Sequence, residues 1–199
     1  MITRKEMTRM LLKEGLLSWL ANNSFESVTV TSLCKASGIT RSTFYLHYSN
    51  IMEIVDDLVD DAIAYSKPGM VDNNNLQTIA NTLSAASNSV SLREAYDSIF
   101  DRLPLCQRII RHKKYLPLFL DEQISEYVLQ RIIGREKDRQ GLVMAEALGV
   151  SFDVGVSVFV FLVHGLYAVN KQYKWSQSDE WLEAQKIIFE LVYRGLQSK

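Results

Sequence analysis

Residues 29–48 read TVTSLCKASGITRSTFYLHY, and this stretch decides the fold. A glycine, Gly38, divides it into two short segments, and each segment opens with a threonine, Thr29 or Thr40. A threonine hydroxyl at such a position accepts a hydrogen bond from a backbone N–H in the first turn of a helix. Glycine adopts the left-handed backbone of a tight turn without steric cost. The stretch therefore predicts two short helices joined by a sharp turn, at residues 30–37 and 41–47.

The chain on either side of this pair carries the same kind of helix start. Thr3 and Glu6 form a capping-box pattern, and Asn50 and Glu53 form another. We therefore expect one helix before the pair, over 4–22, and a further helix from the Asn50 cap to about residue 65.

Beyond residue 66 the apolar residues recur every three or four positions, which is typical of helices. Helices are expected over 76–86, 92–103, 105–115, 117–133, 142–148, 154–170 and 178–196, with a charged loop over 134–141. The sequence contains no strand pattern, so the predicted fold class is all-α. Segment 154–170 has no Asp, Glu, Lys or Arg, but it is shorter than the roughly 20 residues of a membrane span. It is interpreted as a core or interface helix, with a membrane anchor as an alternative.

Composition indicates a soluble globular protein. Hydrophobic residues make up 47% of the 199 residues and charged residues 23%, which argues against a disordered or collagen-like chain. Two cysteines, Cys34 and Cys106, are too few for a disulfide framework, and Cys34 is expected to be a small buried residue. Because no secretion signal is visible either, we expect a cytoplasmic protein.

The charge of the chain is unevenly distributed. Residues 1–50 hold six basic and three acidic residues, whereas the rest of the chain is acidic on balance. A basic end suits contact with a polyanion such as DNA. The acidic residues within 53–61 are expected to form a solvated face of the fourth helix.

The second helix of the 29–48 stretch carries the chemistry of a DNA contact. Its outward side is expected to present Arg41, Ser42, Tyr45 and His47, all hydrogen-bond donors and none acidic. The amino end of a helix attracts anions through its free N–H groups and its dipole. Arg41 can bind guanine or a phosphate, and Ser42 and Thr43 can reach base edges. Tyr45 and His47 are expected near phosphate oxygens.

The run from Gly38 to Tyr48, with the Val-Thr-Val before it, resembles the signature of TetR-type transcriptional regulators. The likeness covers about residues 3–60 and is only architectural beyond them. It implies a helix-turn-helix DNA-binding head over 1–48, a connecting helix over 49–66, and a helical ligand-binding and dimerisation body over 67–199. It also implies a homodimer through the last two helices that binds double-stranded operator DNA and is released by a small-molecule effector, most often as a repressor.

The resemblance assigns DNA contacts position by position. The residues that it places against phosphates or in the major groove are Thr29, Thr31, Thr40, Arg41, Ser42, Thr43, Tyr45 and His47. The family usually has lysine where this chain has Ile51, so one phosphate contact is expected to be missing. Ser37 stands where alanine is usual, which is a small-for-small change.

The effector site is predicted only from aromatic residues and one histidine in the body. The candidate pocket residues are Tyr96, Phe100, Phe119, Tyr127, Phe159, His164 and Tyr167, although an ordinary helical core would have the same composition. We find no phosphate loop, paired-carboxylate site, zinc-protease motif or nucleophile elbow, and so we predict no enzyme, metal or cofactor. The alternative is an all-helical small-molecule-binding or enzymatic module that does not bind DNA.

Overall fold

The structure is a computed structural model that describes residues 3–65, 75–103, 107–108 and 113–197. All regular elements within these residues are helical, which confirms the predicted all-α class for this part of the chain. The α-helices are α1 Arg4–Leu20, α2 Val30–Ser37, α3 Arg41–Tyr45, α4 Ile51–Tyr65, α5 Asn75–Ser84, α6 Ser89–Ser98, α7 Leu116–Leu120, α8 Ser125–Leu148, α9 Phe152–Gln172 and α10 Asp179–Gln197. Short 3₁₀ turns occur at Phe25–Ser27 and Phe100–Arg102.

The chain divides into two compact units. The first consists of Met1–Tyr65 and His112–Ile132, and the second of Ser66–Arg111 and Ile133–Lys199. The break after residue 65 lies where the sequence places the end of the connecting helix. Residues 112–132, which the sequence assigns to the C-terminal body, group with the N-terminal helices instead.

The first unit is built around α1, which packs against α2, α4 and α7. Side chains at most 1% exposed form its core and include Leu12, Leu16, Leu33, Phe44, Ile54 and Leu58 from α1 to α4, and Leu118 from α7. Burial of each such side chain contributes on the order of 1.5–3 kcal/mol, so these short helices are stabilised mainly by their shared core.

The predicted helix starts of the first unit are confirmed. The side-chain oxygens of Thr3, Thr29, Thr40 and Asn50 each accept the backbone N–H three residues later, at 3.0–3.2 Å. The predicted helix ends are less accurate, because α1 ends at Leu20 rather than 22 and α3 at Tyr45 rather than 47.

The second unit is organised around α10, which packs against α5 and α6. Trp181 of α10 is fully buried, and its ring meets that of Tyr96 edge to face at 5.2 Å. The indole N–H of Trp181 donates to the Asn170 side-chain oxygen on α9 at 2.9 Å. This buried hydrogen bond therefore joins α10 to α9.

The predicted loop over 134–141 and the separate short helix over 142–148 are wrong, because α8 is continuous from Ser125 to Leu148. The charged residues of this stretch are good helix formers, and Glu136 pairs with Arg139 one turn later. The chain turns only at Gly149, which has φ +62°. The high density of charged residues over 134–141 therefore does not indicate a loop.

Close contact with α9 explains one of the glycines inside α8. A Cβ on Gly155 of α9 would lie 2.3 Å from the Gly141 carbonyl oxygen and 2.7 Å from the Ala145 nitrogen. The two helices therefore cross almost backbone to backbone.

Two other predicted helix boundaries are also wrong. The helix expected over 92–103 is α6, which starts earlier because Asn88 caps it and ends at Ser98 before a 3₁₀ turn. The helix expected over 117–133 is split, since the Asp121 carboxylate accepts the N–H groups of Gln123 and Ile124 and ends α7. The helix expected over 105–115 lies largely outside the described residues.

The apolar helix α9 is longer and more exposed than the sequence indicates. It has 21 residues with a mean hydropathy of 1.9 in its most apolar window, and only 22% of that window is buried. Within the described residues it is the one helix long and apolar enough to cross a membrane, and a single such helix is weak support for a membrane span. The prediction of a buried core helix is thus wrong, and an interface helix remains a prediction.

Candidate nucleic-acid interface

The turn between α2 and α3 orients the two helices, as the sequence predicts. Gly38 ends α2 with φ +66° and ψ 27°, in the left-handed region that favours glycine. The N–H of Ile39 then returns to the Cys34 carbonyl at 2.9 Å, which completes the helix end. Cys34 itself is buried, and burial raises the pKa of its thiol although the charge of Arg41 opposes this. It has the character of a core residue, as expected.

Helix α3 buries one side and exposes the other. Phe44 is fully buried, whereas Thr43 and His47 are half-buried. The exposed residues are Arg41, Ser42, Tyr45 and Leu46, whose spacing puts them on one side of the helix. We call these four residues the α3 exposed face. It offers a guanidinium, a hydroxyl and a phenol, and it contains no carboxylate.

The hydroxyl groups at the start of α3 bond to one another. The Thr40 Oγ1 atom lies 3.0 Å from Ser42 Oγ and 2.8 Å from Thr43 Oγ1, and it also accepts the Thr43 N–H. Thr40 and Thr43 thus hold the first turn together. Ser42 and Arg41 extend from that turn into solvent.

The other predicted phosphate contacts also belong to the first unit. Thr29 and Thr31 at the start of α2 are exposed, and the Thr29 hydroxyl also caps α2. Tyr45 is 53% exposed, and its ring packs edge to face on Phe44 with centroids 5.2 Å apart. The Nδ1 atom of His47 is enclosed without a hydrogen-bond partner among the described residues, so only Nε2 of this ring can reach outward.

Sequence reasoning missed Leu46, which is 79% exposed. It lies four residues after Ser42 and therefore on the same side of the helix. That spacing was available in the sequence, but an apolar residue does not attract attention as a DNA contact. A leucine here gives the α3 exposed face one apolar group, which is the chemistry that meets a thymine methyl or a sugar.

The prediction of a solvated acidic face on α4 holds only in part, because three of its five acids form ion pairs. Asp57 pairs with Arg9 and Asp61 pairs with Lys13, both cations of α1. Asp56 accepts from Arg131 at 2.7 Å and from the Tyr127 hydroxyl at 2.8 Å, both on α8. These three acids each pair with a cation of the first unit, whereas Asp60 is exposed and Glu53 accepts the Ser49 backbone N–H at 2.8 Å. The acidic face is therefore neutralised only in part.

These ion pairs determine which basic side chains of residues 1–50 are left to contact a partner such as DNA. Of the six basic residues in 1–50, Arg9 and Lys13 are engaged by α4. Among the described residues no ion pair is found for the other four, which are Arg4, Lys5, Lys35 and Arg41. Glu14, the next residue of α1, pairs with Lys114, which raises the pKa of that lysine.

The predicted pocket residues lie in both units. Phe119 and Tyr127 belong to the first unit, where Phe119 is buried and Tyr127 bonds to Asp56. In the second unit, three of them are buried and two half-buried: Tyr96, Phe159 and Tyr167, and Phe100 and His164. The Tyr96 hydroxyl donates to the Gln107 side-chain oxygen at 3.0 Å. No single unit therefore contains the whole predicted set.

A groove of about 480 Å³ on the first unit was not predicted. It is lined by Glu6, Met10, Lys13, Glu14, Leu58, Asp61 and Lys114. None of these is among the predicted pocket residues, and most are charged groups already paired with one another. Within the described residues, no cluster of three or more His, Cys, Asp or Glu side chains could hold a metal ion.

No protein-family model matches the chain, and no curated protein matches it. The resemblance to TetR-type regulators therefore rests on the sequence alone, chiefly on the residues between Val28 and Tyr48, and stays a prediction.

Proposed function

We propose that this protein is a DNA-binding transcriptional regulator that presents the α3 exposed face to the major groove. The observation that carries the proposal is the exposure of Arg41, Ser42 and Tyr45 on one side of α3 behind the Gly38 turn. A guanidinium in that position can make paired hydrogen bonds to guanine, and the hydroxyl groups can bind base edges or phosphates. The absence of a carboxylate from the α3 exposed face leaves nothing there to repel DNA.

The proposal includes a homodimer formed through α9 and α10. Both helices leave large apolar side chains uncovered in the single chain: Phe161 is 75% exposed, Leu191 66% and Ile187 48%. Apolar surface of this kind is covered when two copies associate, and a two-fold dimer brings two identical heads to one duplex. Heads spaced about 34–36 Å apart would bind a palindromic operator.

Sedimentation tests the dimer with a matched pair of variants. We expect Phe161→Glu to sediment as a monomer and Val90→Glu to remain a dimer, since Val90 of α6 is 68% exposed but lies outside the proposed interface. If the wild-type protein is a monomer at micromolar concentration, the proposed dimer is wrong. Loss of the protein to the membrane fraction after lysis would favour the membrane interpretation of α9 over the proposed cytoplasmic location.

The proposal also includes a small-molecule effector bound in the second unit that releases a repressor from its operator. Buried amide groups support a polar site there. The Asn170 and Gln185 side chains are fully buried, and the described residues give their NH₂ groups no hydrogen-bond partner. Buried donors of this kind are normally satisfied by an oxygen acceptor. An effector with carbonyl or carboxylate oxygens suits them, and mass spectrometry of the purified protein tests for such a molecule.

DNA selection followed by fluorescence anisotropy tests the central claim. Duplexes selected from a random pool, and the DNA upstream of the gene itself, provide the ligand. We expect Arg41→Ala to weaken binding of the selected duplex about tenfold or more, because a paired contact with guanine is worth about 1–3 kcal/mol. Lys137→Ala, which removes an exposed cation of α8, serves as the control for net charge.

The salt dependence of binding separates DNA recognition from the alternative module. Phosphate contacts make affinity fall steeply as salt rises, whereas a small neutral ligand or a substrate does not impose such a dependence. Selection that enriches no duplex at low salt would contradict the proposed function. Undiminished binding by Arg41→Ala would contradict the assignment of the α3 exposed face.

A further inference from the structure

Three elements of the first unit meet at a single carboxylate oxygen. The Tyr48 hydroxyl donates to Asp57 Oδ2 at 2.6 Å, and the Arg9 Nε–H donates to the same oxygen at 3.0 Å. The Arg9 guanidinium also lies over the Tyr48 ring, 5.0 Å from its centre. We call Arg9, Tyr48 and Asp57 the Asp57 cluster. It joins α1, α4 and the segment that directly follows α3.

The environment keeps these groups in the protonation states that the bonds require. Burial opposes ionisation of Asp57, but the hydrogen bonds from Tyr48 and Arg9 outweigh it and lower the pKa of the carboxyl. Burial and the bond to Asp57 raise the pKa of the Tyr48 phenol well above its ordinary value. A neutral phenol and an ionised carboxylate therefore face each other throughout the neutral range. Hydrogen bonds to a charged acceptor are stronger than those between neutral groups.

Tyr48 connects this cluster to α3. Its side chain is 3% exposed, its N–H donates to the Phe44 carbonyl at 3.0 Å, and its ring lies 6.2 Å from the Phe44 ring. Phe44 in turn contacts the ring of Tyr45. Because α3 has only five residues, it is too short to hold its own conformation, and its orientation depends on such contacts.

The neighbouring carboxylate on α4, that of Asp56, has the same kinds of hydrogen-bond partner, but these partners lie on a different helix. Asp56 also accepts from a tyrosine hydroxyl and an arginine, Tyr127 and Arg131. Those partners belong to α8, and among the described residues no hydrogen bond or ion pair joins them to α3. Asp56 and Asp57 thus form a natural pair in which only one member is tied to the helix that carries the α3 exposed face.

We propose that the Asp57 cluster positions α3 for DNA binding, with Tyr48 and Asp57 as positioning residues that do not themselves touch DNA. This inference rests on the proposed function. The bond from Tyr48 to Asp57 limits the directions in which the last turn of α3 can move. Without that bond, a smaller fraction of molecules presents Arg41 and Tyr45 in the binding geometry. The apparent affinity for DNA falls in proportion to that fraction.

The test compares Tyr48→Phe with Tyr127→Phe, which remove the same hydroxyl from neighbouring carboxylates. We expect the two variants to lose similar thermal stability. The Kd for the selected duplex should rise about three- to tenfold for Tyr48→Phe, and less than about twofold for Tyr127→Phe. Asp57→Asn should act like Tyr48→Phe, because it weakens the same bond from the other side. Equal Kd values for the two tyrosine variants would overturn the proposal.

Amide hydrogen exchange gives a second readout that does not depend on DNA. Tyr48→Phe should accelerate exchange at residues 41–47 relative to the rest of the first unit, and Tyr127→Phe should not. If the wild-type protein binds no duplex while this difference is observed, the proposed function fails and the positioning role stands. If DNA binds but exchange at 41–47 is equal in the two variants, the positioning role is wrong.

Discussion

Substitution of Gly155 by alanine tests the backbone-level crossing of α8 and α9. A Cβ at this position would lie 2.3 Å from the Gly141 oxygen, 2.7 Å from the Ala145 nitrogen and 2.8 Å from the Ala145 Cβ. Ordinary contacts begin near 3.4 Å, and two of these three atoms belong to the helix backbone, so no rotamer change relieves the clash. The helices must separate by on the order of 1 Å at the crossing, which is a form of overpacking.

The size of the effect follows from two opposing contributions. Overpacking of a closed contact costs about 1–3 kcal/mol. Alanine in a helix interior recovers about 1 kcal/mol relative to glycine. The net expectation for Gly155→Ala is a loss of about 0–2 kcal/mol, and each kcal/mol lost lowers the Tm of a chain of this length by about 2–4 °C. Urea unfolding followed by circular dichroism measures the free energy directly.

Gly134→Ala in α8 is the matched control. A Cβ on Gly134 meets no atom within 4 Å, and the residue is exposed in the middle of a continuous helix. We therefore expect this variant to gain about 0.5–1 kcal/mol in unfolding free energy. If Gly155→Ala is as stable as Gly134→Ala, the close crossing of the two helices is refuted. A loss of stability in Gly134→Ala would contradict the continuous helix.

Three further variants test the first unit. Gly38→Ala should lower the free energy of unfolding by about 1–2 kcal/mol, because alanine is strained in the left-handed backbone at φ +66°. A thermal melt should therefore show a lower Tm. Leu46→Ala should leave the unfolding free energy unchanged within about 0.5 kcal/mol, because the side chain is 79% exposed, yet weaken anisotropy-measured duplex binding a few-fold. An unfolding change without a binding change would exclude Leu46 from the interface. Asp57 has a folded pKa below its ordinary value, so its stabilising contribution is complete above about pH 4 and is lost as the pH falls through the folded pKa. Urea unfolding at pH 3 and pH 6 should therefore show a smaller acid loss for Asp57→Asn than for the wild type, and an equal loss would show that other groups carry the acid sensitivity.

Local chemistry was sufficient to predict the helix starts of the first unit. A hydroxyl or amide side chain satisfies N–H groups within three residues of itself, so the pattern at Thr3, Thr29 and Thr40 can be read without knowledge of the fold. The Gly38 turn was equally local. The exposed side of α3 also follows from helix periodicity once Phe44 is assigned to the core.

Features that depend on packing could not be predicted in this way. The residues between Gly134 and Gly141 have the charges of a loop, but the chain continues through them as a helix, and α9 packs directly on this helix at Gly141. In isolation a glycine inside a charged stretch indicates a break, whereas at a close helix crossing it is the residue that permits contact. Only the position of Gly155, fourteen residues later in the sequence, distinguishes these two roles of Gly141.

The pairing of charges shows why net charge alone is a poor guide to a DNA-binding surface. A sum over residues 1–50 includes Arg9 and Lys13, which the acids of α4 engage, and it omits those acids because they lie beyond residue 50. Two acids that would repel DNA are therefore held by cations that would otherwise attract it. The attraction of the first unit for a DNA phosphate backbone therefore depends on a few exposed cations. Of these, Arg41 alone lies on the α3 exposed face. This concentration of charge in one side chain is the physical reason why we expect Arg41→Ala to have a larger effect than any other single loss of a cation.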